Sequence, residues 1–345
     1  MKTLLRTALL ALFAATGPAH AEITKAMVLD FSDLDGWEAD NHAEALKAFL
    51  STCPDMVEPD WVSLCAMALN PTNPKTFFEL FFRPILIEDG FDPLLTGYFE
   101  PELNGARLPS SIYKYPVYRP PVHLDSGWPS RRDIDTTDVM KGRGYEIVYV
   151  DDPVALFFAQ VQGSARVNMR NGGTIRLGYA AANGYQYRSI GQELVRRGIY
   201  EPHQVSAEVI GNWVRRNPAQ GRELLWHSPS YVFFTELDRI EDTDGPLGAM
   251  NWPLTALRSI AVDSEFIPLG APVWVEKDGV LNLRRIMIAQ DRGSAIKGAQ
   301  RADIFVGTGD VAGKVAGSIR DTGRLIMLAP IQRAYAIAAD VEANQ

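Results

Sequence analysis

Three carboxylates stand at the margins of apolar runs in the last third of the chain. Asp263 lies in Ala261-Val262-Asp263-Ser264-Glu265-Phe266. Asp291 lies in Ala289-Gln290-Asp291-Arg292-Gly293-Ser294-Ala295-Ile296-Lys297-Gly298, and Asp303 in Arg301-Ala302-Asp303-Ile304-Phe305-Val306-Gly307. Apolar neighbours strip water from a carboxylate and raise its pKa, so that it keeps a proton near neutrality and can give it to a leaving oxygen. That is the environment of a general acid. Each residue alone also has a plainer reading: Asp263 and Asp291 as turn caps, or Asp291 as the ionised partner of Arg292 and Lys297.

An upstream set of side chains suits a hydroxyl-rich ligand. It comprises Thr96-Gly97-Tyr98-Phe99-Glu100-Pro101, Gln162-Gly163-Ser164, and Tyr179, Asn183, Tyr185, Tyr187, Arg188 and Ser189 in a glycine-punctuated stretch. Rings lie against sugar faces, while amides and hydroxyls exchange hydrogen bonds with sugar hydroxyls. Tyr179, Tyr185 and Tyr187 share one period-two phase, so a half-buried strand face explains the same residues.

Other chemistries find little support. His42, His123, His203 and His227 offer no pair at three- or four-residue spacing, which argues against metal ligands on a helix face, and no cofactor is expected. Neither a G-x-S-x-G elbow nor a phosphate-binding P-loop occurs. Gly307, Gly309 and Gly313 have the wrong spacing for a dinucleotide fingerprint and no βαβ unit after them, so tight turns and close packing account for them. Thirty-four Lys and Arg against forty-two Asp and Glu give a net charge of -8, the wrong sign for nucleic acid or an anionic membrane surface.

The elements that must position these residues follow from length and pattern. A chain of 345 residues, 46% hydrophobic, has material for two domains with real cores. Lys2 and Arg6, an apolar run from Ala8 to Ala15, and Ala19-His20-Ala21 make a secretory signal peptide over 1–21, with the mature chain starting at Glu22. That run is too short to span a bilayer, and Phe77 to Ile87 is broken by Glu79 and Arg83, so no transmembrane segment is expected. In an oxidising compartment Cys53 and Cys65 are expected to pair, two separately buried thiols being the alternative.

Helical spacing marks Ala43 to Leu50, Pro59 to Leu69 and Pro74 to Leu86, a helical preface, and later Ser189 to Arg197 and Val205 to Arg216. Strands are expected at Leu94 to Phe99, Tyr113 to Tyr118, Ala155 to Val161, Thr174 to Tyr179 and Tyr231 to Thr235. Five more follow at Ser259 to Asp263, Pro272 to Glu276, Leu281 to Ala289, Asp303 to Val306 and Gly323 to Leu328. Short strands with glycine-rich connections point to a closed barrel, and strand-rich pieces on either side of a mixed middle fit one discontinuous domain carrying an insertion.

Several of these motifs, in order, resemble the membrane-bound lytic murein transglycosylase A family. The similarity runs from about Thr96 to Leu325-Ile326-Met327-Leu328. It rests on Thr96 to Pro101, Val161-Gln162-Gly163-Ser164, Asn183-Gly184, Tyr187-Arg188-Ser189-Ile190-Gly191, Ser228 to Phe234 and the three aspartate segments. The resemblance implies a mainly β fold with a helical N-terminal segment and a double-psi β-barrel carrying the three-aspartate (3D) domain. The barrel would comprise residues 22–101 and 236–345, interrupted by a β-rich substrate-binding domain at 102–235, with a glycan strand held between the two.

By the same resemblance, Asp303 is the acid and then the base that cleaves peptidoglycan between N-acetylmuramic acid and N-acetylglucosamine and leaves a 1,6-anhydro end. Asp291 and Asp263 support it. Thr96, Gly97, Tyr98, Glu100, Gln162, Gly163, Ser164, Tyr179, Asn183, Tyr187, Arg188, Ser189 and Lys297 contact substrate. The chain departs from the family pattern at Arg292 and Ser294, where threonine and glycine are common, and lacks the lipidated cysteine. A periplasmic protein, at most peripheral to the outer membrane, is therefore expected. Two alternatives remain: a hydrolase pairing Asp303 with Glu100 or Glu102, which would add water, and a non-catalytic glycan-binding module of the expansin-like kind.

Overall fold

The computed structural model describes residues 22–122, 128–238 and 240–344; the signal-peptide segment and His123 lie outside them. Fifteen strands form among the described residues. In the first half these are β1 (Lys25–Val28), β2 (Phe82–Glu88), β3 (Leu94–Glu100), β4 (Glu102–Ala106), β5 (Tyr115–Tyr118), β6 (Glu146–Val150), β7 (Ser164–Met169) and β8 (Thr174–Ala182). Then come β9 (Val232–Glu236), β10 (Ser259–Val262), β11 (Pro272–Lys277), β12 (Leu283–Asp291), β13 (Arg301–Thr308), β14 (Arg320–Asp321) and β15 (Gly323–Pro330). Nine make one sheet in the order β1-β2-β15-β11-β12-β10-β13-β3-β14, and six make another in the order β5-β6-β4-β7-β8-β9. The first sheet thus takes strands from both sides of the segment that supplies the whole second sheet.

Helices cover one face of the first sheet. His42–Thr52 starts at Asn41, whose side chain accepts from the Glu44 amide, and Pro74–Phe81 starts at Asn73 in the same manner. Pro59 opens the helix between them, and Cys53 and Cys65 are joined in a disulfide. Phe49, Trp61, Phe77, Phe78 and Phe82 pack ring against ring over the sheet.

Three expectations need correction. The helix expected over Pro74 to Leu86 ends at Phe81 and the chain enters β2, because Pro84 lacks an amide hydrogen and disfavours helical geometry at Arg83. The strand expected over Ala155 to Val161 is the helix Pro153–Gln162. Asp152 caps it by accepting the Val154 and Ala155 amides, Pro153 fills its first turn, and Gly163 ends it in a left-handed conformation. It is apolar on two sides because Leu156 and Ala159 pack on the second sheet while Val154 and Phe157 pack on the helices at 190–225.

The first sheet is not a closed barrel, since its ladder runs from β1 to β14 without rejoining. It is nevertheless curled. Only Thr322 separates β14 from β15, although they stand ninth and third in strand order, and Gly323 lies so close to Leu95 and the Glu276 carbonyl that no Cβ would fit.

Where the chain leaves the first sheet for the second, Glu100 is fully buried. Its carboxylate takes Arg166 at 2.7 Å and Arg176 at 3.0 Å, and the Thr308 hydroxyl donates to it at 2.9 Å. The same guanidiniums donate to the carbonyls of Glu241, Asp242 and Asp244, on the segment that returns to the first sheet. Both crossings are therefore pinned by one ion cluster. Removing the anion strands two largely buried cations, so Glu100→Gln is expected to lower unfolding free energy by about 3–5 kcal/mol in urea titrations; an unchanged midpoint would show that the crossings hold without it.

Candidate functional site

Pairing register decides which side chains share a face. In the ladder between β13 and β3, Asp303 stands opposite Thr96, and Ala302 opposite Leu95. Ala302, Ile304 and Leu95 belong to the main core, so Arg301, Asp303, Thr96 and Tyr98 face the other way. Across β10, Ala261 pairs with Asp303 on one side and with Asp291 on the other. A register shift between Ile260 and Ala261 makes the second pairing possible, skipping Gln290 and turning Asp291 towards the face of Asp303. Asp291 and Asp303 thus lie about 10 Å apart at Cα, two strand spacings, with Ala261 between them. Tyr98, Leu254, Ala261, Ile296 and Phe305 make the apolar floor beneath.

Each carboxylate has a distinct set of partners. The Thr96 hydroxyl donates to Asp303 Oδ1 at 2.7 Å. Burial raises the pKa of Asp303, while the Thr96 hydrogen bond and the Arg301 guanidinium oppose the rise. Asp291 Oδ1 accepts the amides of Ala249 at 3.0 Å and Arg292 at 2.9 Å, and Oδ2 accepts the Tyr98 hydroxyl at 2.9 Å. Burial raises its pKa too, and the charge of Asp303 pushes it further; its three donors pull it back. Asp263, buried at the end of β10, accepts the amides of Gly298 and Glu265 and the Lys297 ammonium at 3.1 Å. It fastens the connection between Asp291 and β13.

The remaining residues singled out in the sequence divide between this face and the scaffold. Thr96 and Tyr98 touch the aspartates directly. Gly97 lies against Ala316 and Ile319, where a side chain would collide. Gln162 Oε1 accepts the Phe99 amide at 3.0 Å, Gly163 ends the helix before it, and buried Ser164 opens β7 opposite Gly178. The Asn183 side chain is spent on protein: it donates to the Pro129 and Pro229 carbonyls and accepts the Tyr231 amide.

Ser189 caps the helix Ile190–Arg196, and the Arg188 amide donates to the Ser228 hydroxyl. Tyr179 stands exposed on β8. The strand face expected to include Tyr185 and Tyr187 ends at Ala182, and both rings are exposed in the irregular segment after it. Glu100 is held in its ion cluster, and Lys297 reaches the site only through Asp263 and Glu265.

Sequence reasoning missed the Ala249 amide, which arrives on the loop from Gly245 to Leu254. Gly248 in that loop packs on the Gln290 carbonyl too tightly for a side chain, a signal that glycine content alone could have raised.

With this geometry in hand, two family models match the chain: the MltA specific insert domain over residues 94–235 and the 3D domain over residues 258–329. Membrane-bound lytic murein transglycosylase A of Vibrio cholerae is 33% identical over 259 residues, covering 71% of this chain and 68% of that one. Its counterpart in Escherichia coli K12 is 33% identical over 244 residues, covering 68% and 64%. The crystal structure of a membrane-bound lytic murein transglycosylase from Agrobacterium tumefaciens matches with a TM-score of 0.81 at 30% identity, over 90% of this chain and 99% of that one. E. coli MltA with bound chitohexaose shares the fold, with a TM-score of 0.72 at 24% identity over 90% and 95%. On sequence and fold together, the chain belongs to the membrane-bound lytic murein transglycosylase A family.

Proposed function

We propose that the protein is a peptidoglycan lytic transglycosylase in which Asp303 serves as acid and then as base. The observation that carries this reading is Asp303 itself. It is a partly exposed carboxyl group on the face turned away from the main core, with its pKa raised by burial and one oxygen fixed by Thr96. Protonated Asp303 gives its proton to the glycosidic oxygen between N-acetylmuramic acid and N-acetylglucosamine as the C1–O bond breaks and positive charge spreads over the muramyl ring. The ionised residue then takes the proton from the muramyl C6 hydroxyl, whose oxygen closes on C1. The proton removed equals the proton given, and no water is consumed.

Asp291, fixed by three donors, faces the same side and supplies negative charge towards the developing cation. Asp263 and Lys297 position the connection that leads into β13. The exposed rings of Tyr179 and Tyr187, with Arg188, line the second sheet's side of a glycan groove. Nine strands with parallel pairs β3·β13 and β10·β12 support reading the first sheet as the double-psi unit, residues 22–101 and 236–345, with 102–235 as the inserted substrate domain. Residues 1–21 act as the export signal to the periplasm. Among the described residues no helix is long and apolar enough to cross a membrane. A hydrolase pairing Asp303 with Glu100 is disfavoured because both Glu100 oxygens are already taken by Arg166, Arg176 and Thr308.

Purified peptidoglycan treated with the protein should release muropeptides one water lighter than hydrolysis products. Asp303→Asn should lower the rate by about 10²–10⁴, and water-containing reducing ends would refute the mechanism. The same variant should be more stable than wild type at neutral pH. A raised folded-state pKa favours folding below the usual carboxylate range and costs stability as pH rises past it, so the advantage should vanish in acid. Thr96→Val removes the hydrogen bond that favours the ionised form, so the alkaline limb of kcat/KM should move to higher pH; a limb that stays put would assign it to another group.

A further inference from the structure

Two guanidiniums flank Asp303 on the face that the mechanism uses. Arg301 precedes it by two positions on β13, so both side chains project to the same side. On β14, Arg320 stands directly opposite Thr96, the residue that pairs with Asp303, while its neighbour Asp321 faces the other way to meet buried Lys277 at 2.7 Å. Arg301 is half-buried and donates only to the backbone carbonyls of Leu94 and Ala302. Exposed Arg320 has no side-chain hydrogen bond or ion pair among the described residues. Asp303 is the carboxylate that acts on Arg301 among the described residues, and Arg320 acts on it as a second like charge.

This placement is costly for a proton donor. Arg301 stabilises the ionised form of Asp303, against the needs of a general acid, and the two cations repel one another. Two guanidinium-bearing residues on the face of the Asp303–Thr96 pair, in a chain of net charge -8, make an arrangement that takes a carboxylate.

Resting on the lytic transglycosylase reading, we infer that Arg301 and Arg320 bind a carboxylate carried on the C3 lactyl substituent of the muramyl residue being cleaved, and so select muramyl over plain N-acetylglucosamine units. That carboxylate has two sources. In intact strands the lactyl carboxyl is amide-linked and the acids belong to the stem peptide; in strands stripped by an amidase the lactyl carboxylate is itself free. Arg301 and Arg320 are specificity residues in this scheme. Binding the substrate anion also offsets the cation beside Asp303 when the proton is needed.

The test measures KM and kcat for wild type, Arg320→Ala and Arg320→Lys on stem-bearing and on amidase-stripped glycan strands, together with Kd for chitohexaose, which bears no carboxylate. Arg301→Gln serves as a second variant, with its fold checked by thermal unfolding. Arg320→Ala is expected to raise KM about five- to tenfold on the strand whose acid is bound, with kcat little changed and chitohexaose affinity unaltered; Arg320→Lys should restore part of the loss. Loss on stem-bearing strands alone identifies the stem peptide, and loss on stripped strands alone identifies the lactyl group. Equal weakening towards all three glycans, or no change towards any, overturns the inference. If instead wild type makes no anhydro products from either strand, the transglycosylase reading has failed, a result distinct from failure of the arginine pair.

Discussion

The structure turns on the burial of Glu100 between Arg166 and Arg176. Three ionised side chains removed from water are expensive individually, and they are tolerable here because the carboxylate accepts from both guanidiniums and from Thr308 while the guanidiniums spend their other hydrogens on backbone carbonyls. Such a cluster does little for net stability, yet it ties both crossings to one carboxylate. It sits at the end of β3, and β3 carries Thr96 and Tyr98, the two side chains that hold Asp303 and Asp291. The orientation of the two sheets and the protonation chemistry are therefore coupled through one seven-residue strand.

Register supplies the rest. Asp303 and Asp291 could not share a face without the shift beside Ala261, because strict alternation would have sent Asp291 into the core with Ala289. One extra residue in β12 moves Asp291 from the core face to the face of Asp303. The small Ala261 side chain lies between them, and Phe305, Ile296 and Leu254 keep the floor apolar. Desolvation raises both acids, and it is the sheet, not a flexible loop, that enforces it.

Much of this was legible in the sequence, and for identifiable reasons. The three aspartates announced themselves because each ends or begins an apolar strand, and the preface helices because asparagine and proline mark their starts. Asp152-Pro153 marks the start of the helix Pro153–Gln162 in the same way, but the run after it is apolar nearly throughout and reads as a strand. A helix packed on two sides loses its amphipathic stripe, so periodicity fails where burial is most complete. Asn183 looked like a sugar ligand because amides serve both roles; only coordinates reveal that its donors and acceptor close a turn against Pro129, Pro229 and Tyr231. Barrel closure and the pairing across Ala261 are long-range facts, fixed by which strands meet, and no local pattern encodes them. The similarity of motif order to a known family reached further than periodicity because it carries long-range information implicitly.

The acid at the centre also shows why a cation can be kept beside a proton donor. Burial alone would push the pKa of Asp303 up unopposed, and on the proposed mechanism a group too reluctant to ionise could not act as base in the second half of the reaction. Thr96 and Arg301 pull the other way and temper the rise, its direction remaining upward. On the proposed mechanism, a single carboxyl that both gives and recovers a proton is served by opposing influences, the larger from burial and the smaller from donors on its own and the adjacent strand. The floor is set by the core. The donors are set by the register of β3 against β13, which the Glu100 cluster holds in place.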